Sequence, residues 1–191
     1  MDLGMLVFLA ILAVIIFYAI VVYNGLVNLK HNVAKSWSNI DVLLKQRHDE
    51  LPKLVEVCKQ YMEFEKDTLE KIVEARSAVM AAQQRGNMGD LGAAESQLRM
   101  GLGNLFALAE NYPELKANNN FQQLSSRISQ LENSIADRRE VYNESVNLNN
   151  VRIEQFPDVL IARMFNFKDF DLLEFSEEET KDVNIKSLFN N

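Results

Sequence analysis

The run LGMLVFLAILAVIIFYAIVVY, residues 3–23, contains no charged side chain. An α-helix rises 1.5 Å per residue, so roughly 20 such residues cross a hydrocarbon core about 30 Å thick. The segment reads as a membrane anchor, with a secretory leader as the rival. A secretory leader needs Lys or Arg ahead of the apolar run and a small-x-small cleavage site behind it. Only Met1 and Asp2 precede this run, and no such site follows it. Tyr18 and Tyr23 stand toward its far end, where aromatic rings favour the membrane interface. The expectation is a retained single-pass anchor over residues 1–24, with membrane lipid as its first partner.

The rest of the chain is acidic on balance, with a formal net charge of −7 overall. That argues against nucleic acid, whose binding needs clustered Lys and Arg. The acid is concentrated at the end, in FDLLEFSEEETKDVNIKSLFNN, and residues 168–191 are read as an acidic, mobile tail, although Phe170, Leu172, Leu173 and Phe175 could dock. Glu177, Glu178 and Glu179 could meet calcium or a basic partner, but a solvated charged end is the default. Cys58 is the only cysteine. One thiol makes no intrachain disulfide and is too little for a zinc site, so it reads as a small apolar helix residue.

After the anchor, apolar residues recur at three- and four-residue steps: Val33, Trp37, Ile40, Leu44, Leu51, Leu54, Cys58, Tyr61. This is the spacing of an amphipathic helix. Strong helix formers continue through EKDTLEKIVEARSAVMAAQQR to Gly86, the first glycine of GNMGDLG and the expected stop. Those glycines lack the preceding strand and following Lys-Ser or Lys-Thr of a phosphate loop, and read as a hairpin turn. Asp90 can cap a second helix carrying Leu91, Leu98, Leu102, Leu105, Phe106 and Ala109, which ends before Pro113. Asn120 and Gln123 suggest a capping box for a third. Its stripe is Leu124, Ile128, Leu131, Ile135, Tyr142 and Val146, and it runs to Pro157. DVLIARMF can form a short fourth. The fold class expected is all-α: one transmembrane helix, then an antiparallel bundle of three long helices plus a short fourth over residues 25–167.

An unbroken first helix from Leu26 to Arg85 would be about 90 Å long, and a second from Asp90 to Tyr112 covers only about 35 Å of it. The third must cover the rest, or another subunit must. An uncovered stripe at Val33, Trp37, Ile40 and Leu44 would be a contact surface for a second copy or a partner. Self-association is expected on that ground, provided one chain does not bury the stripe by itself.

The stripe is interrupted by Arg47-His48-Asp49, with Asp41 one or two turns earlier and Pro52 just beyond. Proline supplies no N–H, so the His48 carbonyl loses its helical partner. That carbonyl and the charges need partners from a neighbouring helix. Arg138, Tyr142, Asn143 and Asn149 on the third helix are candidates. The picture is a polar joint that fixes which helices meet in which register. The rival reading makes His48 a general base oriented by Asp41 or Asp49. No nucleophile or metal constellation accompanies it, no His-Glu-x-x-His and no Gly-x-Ser-x-Gly, so catalysis ranks last. No catalytic residue, cofactor or metal is assigned.

Taken together, these residues resemble the LemA family of bacterial membrane proteins. The resemblance runs from Tyr23 to about Ala162. It begins with Tyr23-Asn24, Leu26-Val27, Trp37-Ser38, Ile40-Asp41-Val42, Arg47-His48-Asp49, Pro52 and Leu54-Val55. Tyr61, Glu65 and Ala75-Arg76 follow, then Glu110, Tyr112-Pro113, Leu115-Lys116-Ala117 and Asn120-Phe121. Glu132-Asn133, Ile135-Ala136, Arg138, Tyr142-Asn143, Val146, Asn149, Phe156-Pro157 and Ala162 complete it. This chain departs from the family pattern around Pro52, with Glu50-Leu51 before it and Lys53 after. The tail beyond Phe167 looks longer than the family core. The resemblance implies an anchor followed by a long-helix bundle in the bacterial inner membrane, and it supplies no reaction. Relatives are associated with membrane proteases and stress responses, and a magnetosome relative acts in membrane invagination.

Two observations bear on the side of the membrane. Lys30 and Lys35 follow the anchor, which favours a cytoplasmic bundle by the positive-inside rule. Some family members instead resemble lipoproteins, with a Cys just before the Tyr-Asn motif. Val22 and Tyr23 stand there in this chain, so the cytoplasmic side is favoured and the face stays open. The functions expected, in order, are a self-associating membrane scaffold, an adaptor or regulator of a membrane protease, and an enzyme using His48.

Overall fold

A computed structural model describes residues 3–174 of the chain. Phe175 and the acidic run Glu177-Glu178-Glu179 lie outside the described residues. The fold among the described residues is all-helical: α1 (Leu3–Lys59), α2 (Lys66–Arg85), α3 (Met88–Ala109), α4 (Pro113–Ala117), α5 (Asn119–Glu154) and α6 (Asp158–Met164).

The 57-residue α1 begins inside the charge-free run and continues without a break far beyond it. Its first part is apolar on every side and exposed from Leu3 to Tyr18, as a segment solvated by lipid would be. Among the described residues, one helix is long and apolar enough to cross a membrane.

The expected continuous helix to Arg85 is not what forms. α1 ends at Lys59, and Gln60–Glu65 is a turn before α2. No glycine or proline causes that break. Turn hydrogen bonds hold it (Met62 N–H to the Cys58 carbonyl, 2.9 Å; Glu65 N–H to the Met62 carbonyl, 3.2 Å). Buried Met62 pins it, and the Asn118 amide donates to the Tyr61 hydroxyl at 3.0 Å. Tertiary contacts here override helix propensity.

The glycine cluster does three different things. Gly86 is the left-handed C-cap of α2, with φ 67°. Gly89 and Gly92 lie within α3. A Cβ on Gly92 would run into the Glu174 carbonyl oxygen, so this glycine lets a second backbone pass directly over α3. Asn87, not Asp90, caps α3: its side chain accepts the Asp90 N–H at 3.0 Å. The cap ahead of α5 is likewise not the expected Asn120 with Gln123. The Asn118 side chain accepts from the N–H groups of Asn120 and Phe121, at 2.9 and 3.2 Å.

The described residues divide into two compact units, one gathering residues 3–42 and Ala136–Leu172, the other Leu43–Ile135 with Leu173 and Glu174. In the first, α1 and α5 run antiparallel, with the Ser36 and Ser145 hydroxyls 3.0 Å apart and the Trp37 and Tyr142 rings 5.7 Å apart. In the second, α2 and α3 form a helical hairpin with the C-terminal part of α1 and the N-terminal part of α5. Its core includes Leu51, Leu54, Cys58, Leu69, Ile72, Leu91, Leu98, Leu102, Leu105, Leu115, Ile128 and Leu131, all buried.

The stripe expected to lie open is covered. Val33, Ile40 and Leu44 are buried within the single chain, and Trp37 is half-buried against Tyr142. The condition set for the contact surface at Val33, Trp37, Ile40 and Leu44 therefore fails for all but part of Trp37. The α5 helix returns far enough to cover the stretch that α3 is too short to reach.

Candidate functional site

The polar centre of the second unit is built on Arg47. Its side chain is 1% exposed, and two carboxylates grip it: Glu95 of α3 at 2.5 Å and Glu132 of α5 at 2.7 Å. Glu95 is 3% exposed and Glu132 14%. Burial pulls the guanidinium pKa down, but Glu95 and then Glu132 outweigh it, and the net direction is up. Arg47 stays a cation, and one guanidinium joins three helices. Its Nε is buried without a hydrogen-bond partner, so the fork is used at its two terminal nitrogens only.

One residue on, His48 is held by Arg76 of α2 through two contacts. Arg76 Nε donates to the His48 backbone carbonyl at 3.0 Å. This is the carbonyl that Pro52 leaves without its helical donor. Arg76 Nη2 lies 2.6 Å from His48 Nε2. An arginine has no acceptor, so the ring nitrogen accepts and His48 is neutral there. Burial first, then the Arg76 charge, lowers the His48 pKa, and Asp49 only partly opposes them. The atom that the enzyme reading would use as a base is thus occupied by a cation.

The residues read as a polar joint are placed as follows. Arg47, His48 and Pro52 sit in this centre, but their partners are Glu95, Glu132 and Arg76. Asp49 is exposed beside them. Of the third-helix candidates, Arg138 is exposed and Asn143 half-buried. Tyr142 and Asn149 hold something else. The Tyr142 hydroxyl donates to the Asp171 carbonyl at 3.0 Å, and burial, then Asp171, pushes its pKa up. The Asn149 amide donates to the Lys168 carbonyl at 3.3 Å, while Asn150 both donates to and accepts from the Phe170 backbone at 2.8 and 3.0 Å. These residues fasten the chain at 168–171 along α5, so the opening residues of the segment read as a mobile tail are held. Asp41 is half-buried and belongs with Tyr142 and Asn149 to the first unit.

A signal for the missed partners was present. Glu95 lies four residues after Leu91 and three before Leu98, on the apolar stripe of α3. Glu132 stands likewise between Ile128 and Ile135, and Arg76 follows Ile72 by four. Charges on core stripes have to find each other.

A second polar cluster lies in the first unit. The Tyr18 hydroxyl donates to Asp158 Oδ1 at 3.0 Å, and Arg152 pairs with the other oxygen of that buried carboxylate. Beside it Val22, Leu26 and Ala162 form a buried apolar group with Ile153, Ile161 and Phe167 against them. The Tyr23 ring meets those of Phe165 and Phe167 at 4.8 and 5.9 Å.

These features define a class: an all-α chain in which one candidate membrane-spanning helix continues into a bundle joined by buried ion pairs. The chain belongs to the LemA family, whose profile matches residues 36–187. That match begins later than Tyr23 and extends beyond Ala162, through most of the segment set aside as a tail. Among curated proteins the chain is similar to protein LemA of Metamycoplasma hominis, 28% identical over 94% of this chain and 82% of that one. It is also similar to magnetosome protein MamQ 2 of Paramagnetospirillum magneticum, 23% identical over 85% of this chain and 69% of the relative. Magnetosome protein MamQ of Magnetospirillum gryphiswaldense is 25% identical over 76% of this chain, which spans 62% of that relative's length.

Proposed function

We propose that this chain is a membrane-anchored helical scaffold that self-associates and organises the membrane or a complex in it. The observation that carries the reading is the continuity of α1, in which the candidate span and the bundle share one 57-residue helix. The names of the relatives, LemA and MamQ, describe no reaction, and the engaged Nε2 of His48 supports a joint over a base. With the membrane-proximal stripe covered, the self-association face moves to α5. Val141, Leu148 and Val151 are exposed there at seven- and three-residue spacing, the pattern of a helix–helix seam.

A second reading, an adaptor for a membrane enzyme such as a protease, is supported by the turn between α1 and α2. Phe64 is 93% exposed at the edge of a groove of about 970 Å³ lined by Met62, Leu69, Val73, Lys59, Lys66 and Glu70. The mass of the full-length protein in mild detergent, measured by light scattering, separates the two. A defined oligomer that dissociates on Leu148→Glu supports the scaffold. A clean monomer refutes it and leaves the adaptor.

A further inference from the structure

The apolar run and α6 are far apart in sequence and adjacent in the first unit. Asp158 meets Tyr18, Ala162 packs with Val22 and Leu26, and Phe165 and Phe167 meet Tyr23. α6 is therefore strapped to α1 between residues 18 and 26.

That height has a consequence for a chain anchored as proposed above, on which this inference rests. The charge-free run, residues 3–23, measures about 31 Å, close to the thickness of a hydrocarbon core of about 30 Å. Tilt shortens its reach. A span over that run includes residues 18–23, and whatever is strapped to them goes to the same depth.

α6 is fitted for that depth. Its outward side carries Leu160 and Met164, four residues apart, 59% and 67% exposed, with Phe156 just ahead at 81% and Phe165 just behind at 54%. In water these four are an unexplained apolar patch. The Asp158 carboxylate, which faces the span, is neutralised by Arg152 and hydrogen-bonded by Tyr18, as a charge near hydrocarbon must be. Arg163 and Lys168 are exposed, with stems long enough to reach phosphates from the interface. Acids and bases are near balance over residues 152–171, so apolar insertion, not charge attraction, drives the contact.

We infer that α6, with Phe156 and Phe165, is a second membrane element that lies in the headgroup–acyl boundary of the bilayer carrying the span. The first unit is then held to the membrane at two points, the span and α6.

The test is site-directed spin labelling of the full-length chain in phosphatidylcholine vesicles. Single cysteines replace Leu160, Met164, Val14 or Gln97 in a Cys58→Ala background, and each label is exposed to oxygen and to a water-soluble nickel chelate. Labels at 160 and 164 should favour oxygen over nickel, as Val14→Cys does, with Gln97→Cys showing the reverse ratio. Labels at 160 and 164 that follow position 97 while position 14 stays lipid-like overturn this inference alone. Labels at 160 and 164 shielded from both reagents mean that protein covers α6, which also overturns it. A water-like position 14 overturns the anchor and this inference together.

Discussion

Replacing Arg47 by Ala should be the most damaging single change to the bundle, and its cost should depend on pH. The substitution removes the cation that pairs with both Glu95 and Glu132, two carboxylates that are 3% and 14% exposed. Breaking a buried pair by deleting one partner costs about 3–5 kcal/mol. A second route to the magnitude gives a similar figure. The variant can relieve the repulsion by taking up one proton. Protonating an ordinary glutamate, pKa about 4.3, costs about 3.7 kcal/mol at pH 7 and about 1 kcal/mol at pH 5. At about 2–4 °C per kcal/mol for a chain of this size, the melting midpoint should fall by about 7–15 °C at pH 7 and by much less at pH 5. The assay is thermal unfolding of the detergent-solubilised full chain, followed by circular dichroism at both pH values. A deficit that is absent, or equal at pH 7 and pH 5, would refute the reasoning. Replacing the whole triad, Arg47→Met with Glu95→Leu and Glu132→Leu, should recover most of the loss, since the guanidinium and its two carboxylates are removed together.

Three further outcomes are expected. His48 has its pKa lowered in the folded chain, so its contribution is complete above the ordinary value of 6.5 and is lost as pH falls through the folded value. Melting midpoints should drop across that window, and His48→Gln, which keeps an acceptor, should flatten the drop. Cys58 is buried and its thiol is pushed up to about 12, so maleimide should label it slowly in the folded chain and quickly after unfolding. Gly92→Ala should lift the backbone at Glu174 off α3 and expose Leu173, which is now buried. A cost of about 1–3 kcal/mol is expected, read as a lower midpoint and faster proteolysis at 168–174. An unchanged cleavage rate would mean the two backbones do not meet.

The sequence alone determined the features that depend on a few neighbouring residues. Twenty-one uncharged residues in a row are apolar on every face, whatever they pack against. Gly86 stops α2 because only glycine adopts its left-handed backbone readily, and Pro52 strands the His48 carbonyl by covalent structure. The amphipathic stripes were readable for the same reason, since the 3.6-residue period is local. Tertiary structure decided what those features meet. Arg47 was visible as a charge on a core stripe, but Glu95 and Glu132 come from helices 48 and 85 residues away, and that meeting depends on helix register, which no local window contains. The end of α1 at Lys59 has no breaker residue behind it, because packing around Met62 and Tyr61 sets it. The stripe of Val33, Ile40 and Leu44 looked open because the length of its cover was unknown. It is closed because α5 is 36 residues long and runs back along α1. Gly92 resembled a turn residue until a second backbone was found lying over it.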